Sequence, residues 1–399
     1  MSGHNLSNRI LNLAESETIA MARLSRQLKA DGHDVISLSL GEPDFDTPTD
    51  IREAAKHAID QGFSHYPPVA GYPDLQASIC AKLKRDTDLN YNADQIVVST
   101  GAKQSIANIC LSMLDPGDEV LIPAPYWVSY LQIVQLAGAT AKFIPTSIED
   151  DFKASPEAIE AAITEKTKLL IYSSPCNPSG SVYNSSELDA IAKMLDRHPH
   201  VFIISDEIYE HIIFDGKHES IATRKNMYDR VAVVNGVSKS HAMTGWRIGY
   251  MAGPKWLAAA CDKMQGQFTS APSGISQRAA KAAVEADLSM IKPMKDAFKK
   301  RRDIVIDLLN KIEGVKVNKP NGAFYLFPDV SSYFGKRSNG KTIENSSELC
   351  MYLLNDAKVS LVTGAAFGDP NCIRISYASS EEQLKEAMKR ISISFSKLK

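Results

Sequence analysis

From Ile96 onward the chain alternates between short runs that are almost wholly apolar and stretches with helical spacing. The runs are Ile96 to Ser99, Val120 to Ile122, Ala141 to Ile144, Leu169 to Ser173, Val201 to Ser205 and Val231 to Asn235. A strand with one wet face alternates polar and apolar residues, whereas an unbroken apolar run is buried on both faces. With helices between them, such runs require a largely parallel sheet covered on both sides, the α/β class. Ligands of an open sheet of this kind gather at the strand ends, so function is to be sought in the loops that follow each run.

The flanking segments read differently. Ser16 to Gly32 has the pattern of an amphipathic helix capped by Ser16, with Ile19, Leu24 and Leu28 as its apolar stripe. A strand at Val35 to Leu40 and a break at Gly41-Glu42-Pro43-Asp44-Phe45-Asp46-Thr47-Pro48 follow, then helices at Thr49 to Gln61 and Pro73 to Arg85. After a strand at Ile248 to Ala252, a long helical run from Ile291 to Ile312 carries Arg301 and Arg302 on an expected solvated face. Strands at Val315 to Val317, Ala323 to Phe327 and Cys372 to Ser376, with helices near Ser347 to Ala357 and from Glu381, suit a smaller α+β domain. The expected division is an N-terminal segment 1–45 packing with the small domain, a large domain 46–290 and a small domain 291–399.

Composition narrows the ligand. The 45 Lys+Arg are balanced by 47 Asp+Glu, so no basic field favours nucleic acid or an anionic membrane, and a small molecule is expected. No apolar run is long enough for a membrane span, and Met1 to Arg9 lacks the order of a secretion signal, so a cytoplasmic protein is expected. Six cysteines lie far apart with no C-x-x-C, which points to buried thiols rather than disulfides or zinc. His198 and His200, the only close histidine pair, show no carboxylate company, and no metal site is expected.

At the strand ends, Lys239 lies in the loop Val237 to Tyr250, with Arg247 shortly after it. It reads equally as a solvated loop lysine or as a Schiff-base nucleophile, and its neighbours must decide. Thr100-Gly101-Ala102-Lys103-Gln104 opens from a strand into a helix, so the N–H groups of Gly101 and Ala102 can face a phosphate or simply make a turn. Asp206 emerges from a buried strand and needs a positive or donating partner; Tyr209 follows three residues later. Ser174 to Gly180 is a proline-fixed turn presenting Asn177, and Trp127 offers a ring that can stack on a ligand or fill core.

Taken together and in order, Gly41 to Phe45, Thr100 to Gln104, Tyr126-Trp127, Ser174 to Gly180, Ser205 to Tyr209 and Ser238-Lys239 with Arg247 resemble the class I/II aminotransferases of pyridoxal-phosphate fold type I. The resemblance covers nearly the whole chain. It is greatest to the bacterial-type aspartate aminotransferases that use a lysine for acidic substrates, a likeness strengthened by Ala242 to Tyr250.

That resemblance implies the cofactor pyridoxal 5'-phosphate, amino-acid and 2-oxo-acid substrates, ping-pong transfer and a homodimer with shared active sites. Lys239 would hold the cofactor and shuttle a proton, Asp206 would keep the ring nitrogen protonated, and Asn177 and Tyr209 would bond the ring's phenolic oxygen. Trp127 would stack on the ring; Gly101, Ala102, Ser238 and Arg247 would hold the phosphate, beside Lys103, with Tyr66 reaching in from the neighbouring subunit. Arg374, facing Gly41, would clamp the substrate α-carboxylate. Lys103, helped by Ser16 and Thr18, would take the side-chain carboxylate, and closure over the substrate would exclude water.

Two departures stand out: Gly236 lacks the hydroxyl that many relatives place there for the phosphate, and Leu11 to Glu15 lacks the basic residue found in relatives that accept prephenate. An aminotransferase for an aromatic, alanine-like or prephenate-derived donor remains open, as does a lyase on the same fold. An effector module of a transcription regulator would need a basic DNA-binding domain, which is not expected here.

Overall fold

The computed structural model describes residues 6–338 and 340–399, so part of the Met1 to Arg9 segment lies outside the described residues. Seven strands form the principal sheet: β1 (Ile96–Ser99), β2 (Glu119–Ala124), β3 (Thr140–Pro145), β4 (Thr167–Ser173), β5 (Phe202–Asp206), β6 (Val231–Gly236) and β7 (Gly249–Ala252). Their order is β1-β7-β6-β5-β4-β2-β3. β2 to β6 pair in parallel, and β7 runs antiparallel to both of its neighbours.

The continuous apolar runs have a direct cause. In β4, Leu170 packs with Val98, Leu121 and Ile203 on one face, while Leu169 and Ile171 pack with Val97, Ile122 and Ile204 on the other. Both faces are covered from Leu169 to Ser173, and only Lys168, near the start of the strand, is exposed.

A further core gathers Phe298, Val305, Leu353, Ile375 and Leu384, joined by Ile36 and Leu38 from before the principal sheet. Beside it lies a small antiparallel sheet of β8 (Tyr325–Leu326), β9 (Val362–Thr363) and β10 (Ile373–Ser376), in the order β9-β10-β8. No helix among the described residues is long and apolar enough to cross a membrane.

Several local expectations are corrected. The expected strand at Val35 to Leu40 is a strand only at Ile36–Ser37, because its partner is the two-residue strand Val359–Ser360. Val315 to Val317 forms no strand, only a bridge from Lys316 to Asp329. The first long helix spans Glu17–Ala30; Ser16 stands at its N-cap without a capping side-chain bond and faces a cavity instead. Ala22 and Ser25 are its buried residues, and Ile19 is exposed.

Arg301 and Arg302, on the helix Lys292–Leu309, are buried rather than solvated. Arg301 Nη1 donates to Asp44 at 2.6 Å, and Arg302 Nη1 donates to the Pro320 carbonyl at 2.9 Å while lying over the Phe214 ring. Each charge is desolvated but paired, Arg301 with Asp44 and Arg302 with Asp303, which is what makes its burial tolerable.

His198, expected without acidic company, has Glu160 Oε1 at 2.9 Å from its Nε2. The six cysteines are free. Asp86, Glu210 and His211 bring possible metal-ligand atoms within 4.8 Å of one another, but the Lys82 ammonium is bonded to Glu210 there. Burial weakens the Lys82 ammonium, yet Glu210 and its neighbours outweigh this and hold it protonated well above the ordinary lysine range. The cluster is an ion-pair network with its own cation.

Candidate active site

Because β4, β5 and β6 are parallel and adjacent, their C-terminal ends deliver Asn177, Asp206 and Lys239 to one edge of the sheet. β7 reverses direction, so its beginning lies at the same edge, with Arg247 just before it. β1 enters there through Gly101 into the helix Ala102–Met113. Gly101 has φ +83°, and a side chain on it would strike the Arg247 guanidinium. A side chain on Gly249 would strike the backbone of Gly101 and Ala102. These glycines let Arg247 approach a helix N-terminus, where N–H groups have no intrahelical acceptor. Gly236 has a packing reason of its own: a Cβ there would meet the Ile248 carbonyl at 2.8 Å.

Asp206 is 4% exposed. Burial lifts its carboxyl to about 6, opposed by hydrogen bonds from Tyr130 Oη at 2.6 Å and the Ile208 N–H at 3.2 Å. Lys239 Nζ donates to the Gly41 carbonyl at 2.6 Å. Burial lowers its amine to about 8; Glu42 opposes that shift, while Arg247 and Arg374 add to it.

Arg374, on β10, donates through Nη1 to Asn177 Oδ1 at 3.0 Å and through Nη2 to the Ser39 carbonyl at 2.6 Å. Its guanidinium packs on the rings of Tyr325 and Phe367, 4.7 and 4.8 Å from their centroids. The Tyr209 and Tyr325 hydroxyls are 2.7 Å apart. Lys103 Nζ stands 5.1 Å over the Trp127 ring, which meets Tyr130 edge-on.

All the residues singled out in the sequence except Gly101 and Tyr66 line one cavity of about 270 Å³. Gly101 supports it from behind through Arg247, and Tyr66 is 96% exposed on this chain, outside the cavity. Lys103, Lys239, Arg247 and Arg374 line it, and Asp206 is the only acid among its described lining residues. A larger groove of about 920 Å³ lies elsewhere, but its Arg85, Lys84 and Arg224 are paired with Asp86, Asp88 and Glu219.

Sequence reasoning missed Tyr130 and Tyr325, both of which line the cavity. Tyr130 stands three positions after Trp127 at the start of the helix Ser129–Leu136, a spacing that could have raised it as a partner. Tyr325 lies within an apolar run and carried no such signal.

The family model for aminotransferase class I and II matches residues 33–391. The chain belongs to the class I and II aminotransferases. Among relatives in this family, a Petunia hybrida protein named bifunctional aspartate aminotransferase and glutamate/aspartate-prephenate aminotransferase is 50% identical over 97% of this chain and 82% of its own length. An aspartate/prephenate aminotransferase of Cereibacter sphaeroides is 46% identical over 97% of both chains. Among solved structures, an aspartate aminotransferase from Rhizobium meliloti superposes with a TM-score of 0.96 at 41% identity, covering 100% of each chain. The Thermus thermophilus aspartate aminotransferase with maleate gives 0.92 at 36% identity, covering 99% of this chain and 100% of that one.

Proposed function

We propose that this aminotransferase uses pyridoxal 5'-phosphate to transfer the amino group of L-aspartate to 2-oxoglutarate. The observation that carries this is the cavity's charge pattern: four cations, one buried acid, and one of those cations a lysine whose amine is already held near 8. The residues fit the cofactor. Arg247, pressed against Gly101 at a helix N-terminus with Ser238 close by, suits a phosphate dianion; Asp206 suits a protonated ring nitrogen; Lys239 suits a carbonyl carbon. When bound, the cofactor supplies an electrophilic carbonyl and an electron-accepting ring.

The chain's own residues supply the rest. Arg374, pre-set by Asn177 and Ser39, offers its fork to the α-carboxylate. Lys103, with Ser16 and the buried, unpartnered Thr18 hydroxyl, faces the distal carboxylate. Lys239, freed as an amine, holds and returns the proton of the substrate α-carbon. Tyr209 and Asn177 would hold the ring's phenolic oxygen, and Trp127 would stack on the ring. The 96% exposure of Tyr66, with Phe268 and Ile59 also exposed, supports a homodimer in which Tyr66 completes the partner's site.

Aspartate alone is expected to shift the bound cofactor's visible absorbance, and 2-oxoglutarate to restore it. No response to aspartate would overturn the reading. A second reading, prephenate as an amino acceptor, is favoured by the names of relatives as similar as the Cereibacter protein. The segment Leu11 to Glu15 carries no Lys or Arg, so prephenate is expected to be the poorer acceptor. A kcat/KM for prephenate equal to that for 2-oxoglutarate would contradict this.

A further inference from the structure

We infer that Tyr325 is a positioning residue that couples the carboxylate-binding Arg374 to the phenol of Tyr209, so that substrate grip and cofactor-ring contacts are set by one side chain. This rests on the proposed function for the cavity and adds a role to it.

The coupling begins in the strand register. Tyr325 of β8 lies opposite Ser376 of β10, and Arg374 is two residues before Ser376. Side chains of an antiparallel pair share a face, as do residues two apart on one strand, so Tyr325 and Arg374 project together. The Tyr325 ring therefore lies 4.7 Å from the guanidinium carbon, and the Phe367 ring also contacts it at 4.8 Å. A cation packed against aromatic rings in a water-poor site is restrained without using any of its hydrogen-bond donors.

The hydroxyl of the same residue points the other way. It is 2.7 Å from Tyr209 Oη, and it fills the space where a side chain on Gly41 would stand. The Gly41 carbonyl in turn accepts from Lys239. When the Tyr209 hydroxyl donates to a ring oxygen, its own oxygen must accept, and Tyr325 is placed to be the donor. A phenol that accepts while it donates is the stronger donor. The charged groups facing this pair are Arg374, Asp206 and Lys239. Tyr325 is 0% and Tyr209 4% exposed, so few waters can reach either hydroxyl.

Two variants separate the two arms. Tyr325→Phe keeps the ring and loses the hydroxyl; the pKa read from the holoenzyme's visible spectrum is expected to rise, while the calorimetric Kd for succinate stays within about twofold. Tyr325→Leu loses both, and succinate binding is expected to weaken about tenfold. In a Tyr209→Phe background, Tyr325→Phe is expected to leave the spectral pKa where Tyr209→Phe put it. An unchanged spectral pKa in Tyr325→Phe, wild-type succinate binding in Tyr325→Leu, or additive shifts in the double variant would each overturn the inference. Wild-type holoenzyme run alongside keeps the outcomes distinct. Its failure to respond to aspartate counts against the proposed function, whereas a normal wild type with unaffected variants counts against Tyr325 alone.

Discussion

Burial pushes Asp206 and Lys239 each toward the neutral, less hydrated of its two forms, at a cost to the cofactor-free protein. Burial lifts Asp206 to about 6, so the folded chain binds that proton more tightly than the unfolded chain. Its favourable contribution is complete below about pH 4 and is lost as pH rises through the folded value. Lys239, lowered to about 8, has the opposite dependence: its contribution is full at high pH and is lost as pH falls through that value. Asp206→Asn is therefore expected to stabilise the cofactor-free protein by about 3 kcal/mol at pH 8 and by about 1.5 kcal/mol at pH 5, while weakening cofactor binding. Chemical denaturation at the two pH values checks it, and a gap that does not change with pH would contradict it. Asp206 was legible because an acid at the end of an apolar run has few structural uses. Its donor, Tyr130, was not, since an aromatic residue at the start of an apolar helix is most often core.

The elements that matter for the site are those whose ends meet. The long strands could be read from sequence because burial on both faces leaves an unbroken apolar signature. The two-residue strand Ile36–Ser37 could not be, because its pairing depends on Val359–Ser360, far away in the chain. The buried arginines were misread for a related reason: the helix Lys292–Leu309 looks amphipathic, and only the fold brings Asp44 and Pro320 to Arg301 and Arg302. The junction of β1, β7 and the helix Ala102–Met113 depends on glycine at 249. Gly249→Ala would press a methyl into the backbone of Gly101 and Ala102, with an expected cost of about 1–3 kcal/mol and weaker pyridoxal-phosphate binding. Gly245→Ala, with open space around it, is the control. Thermal melts and cofactor titrations of the two variants decide it; equal behaviour would contradict the close-approach argument.

On the scale of the whole molecule, the cavity is assembled from all parts of the chain. Ser16, Thr18 and Gly41 come from its beginning, Lys103 to Arg247 from the principal sheet, and Tyr325 and Arg374 from its end. Bonds from Lys239 to Gly41 and from Arg374 to Ser39 tie the early segment to both later ones. That convergence explains why no single loop disclosed the site, whereas the ordered set of strand-end residues did. The proposed homodimer with shared sites predicts a sedimentation mass near twice 43.7 kDa and loss of cofactor affinity in Tyr66→Phe; a monomer that retains full affinity would contradict it. The central claim, that an acidic amino donor is read by Lys103 in a cavity built around Lys239, is tested most directly by single-turnover half-reactions with aspartate and phenylalanine on the wild type and Lys103→Ala. The expected result is a loss in aspartate reactivity of about 10²-fold with phenylalanine changed by less than about threefold. Equal losses for both donors, or none for aspartate, would contradict it.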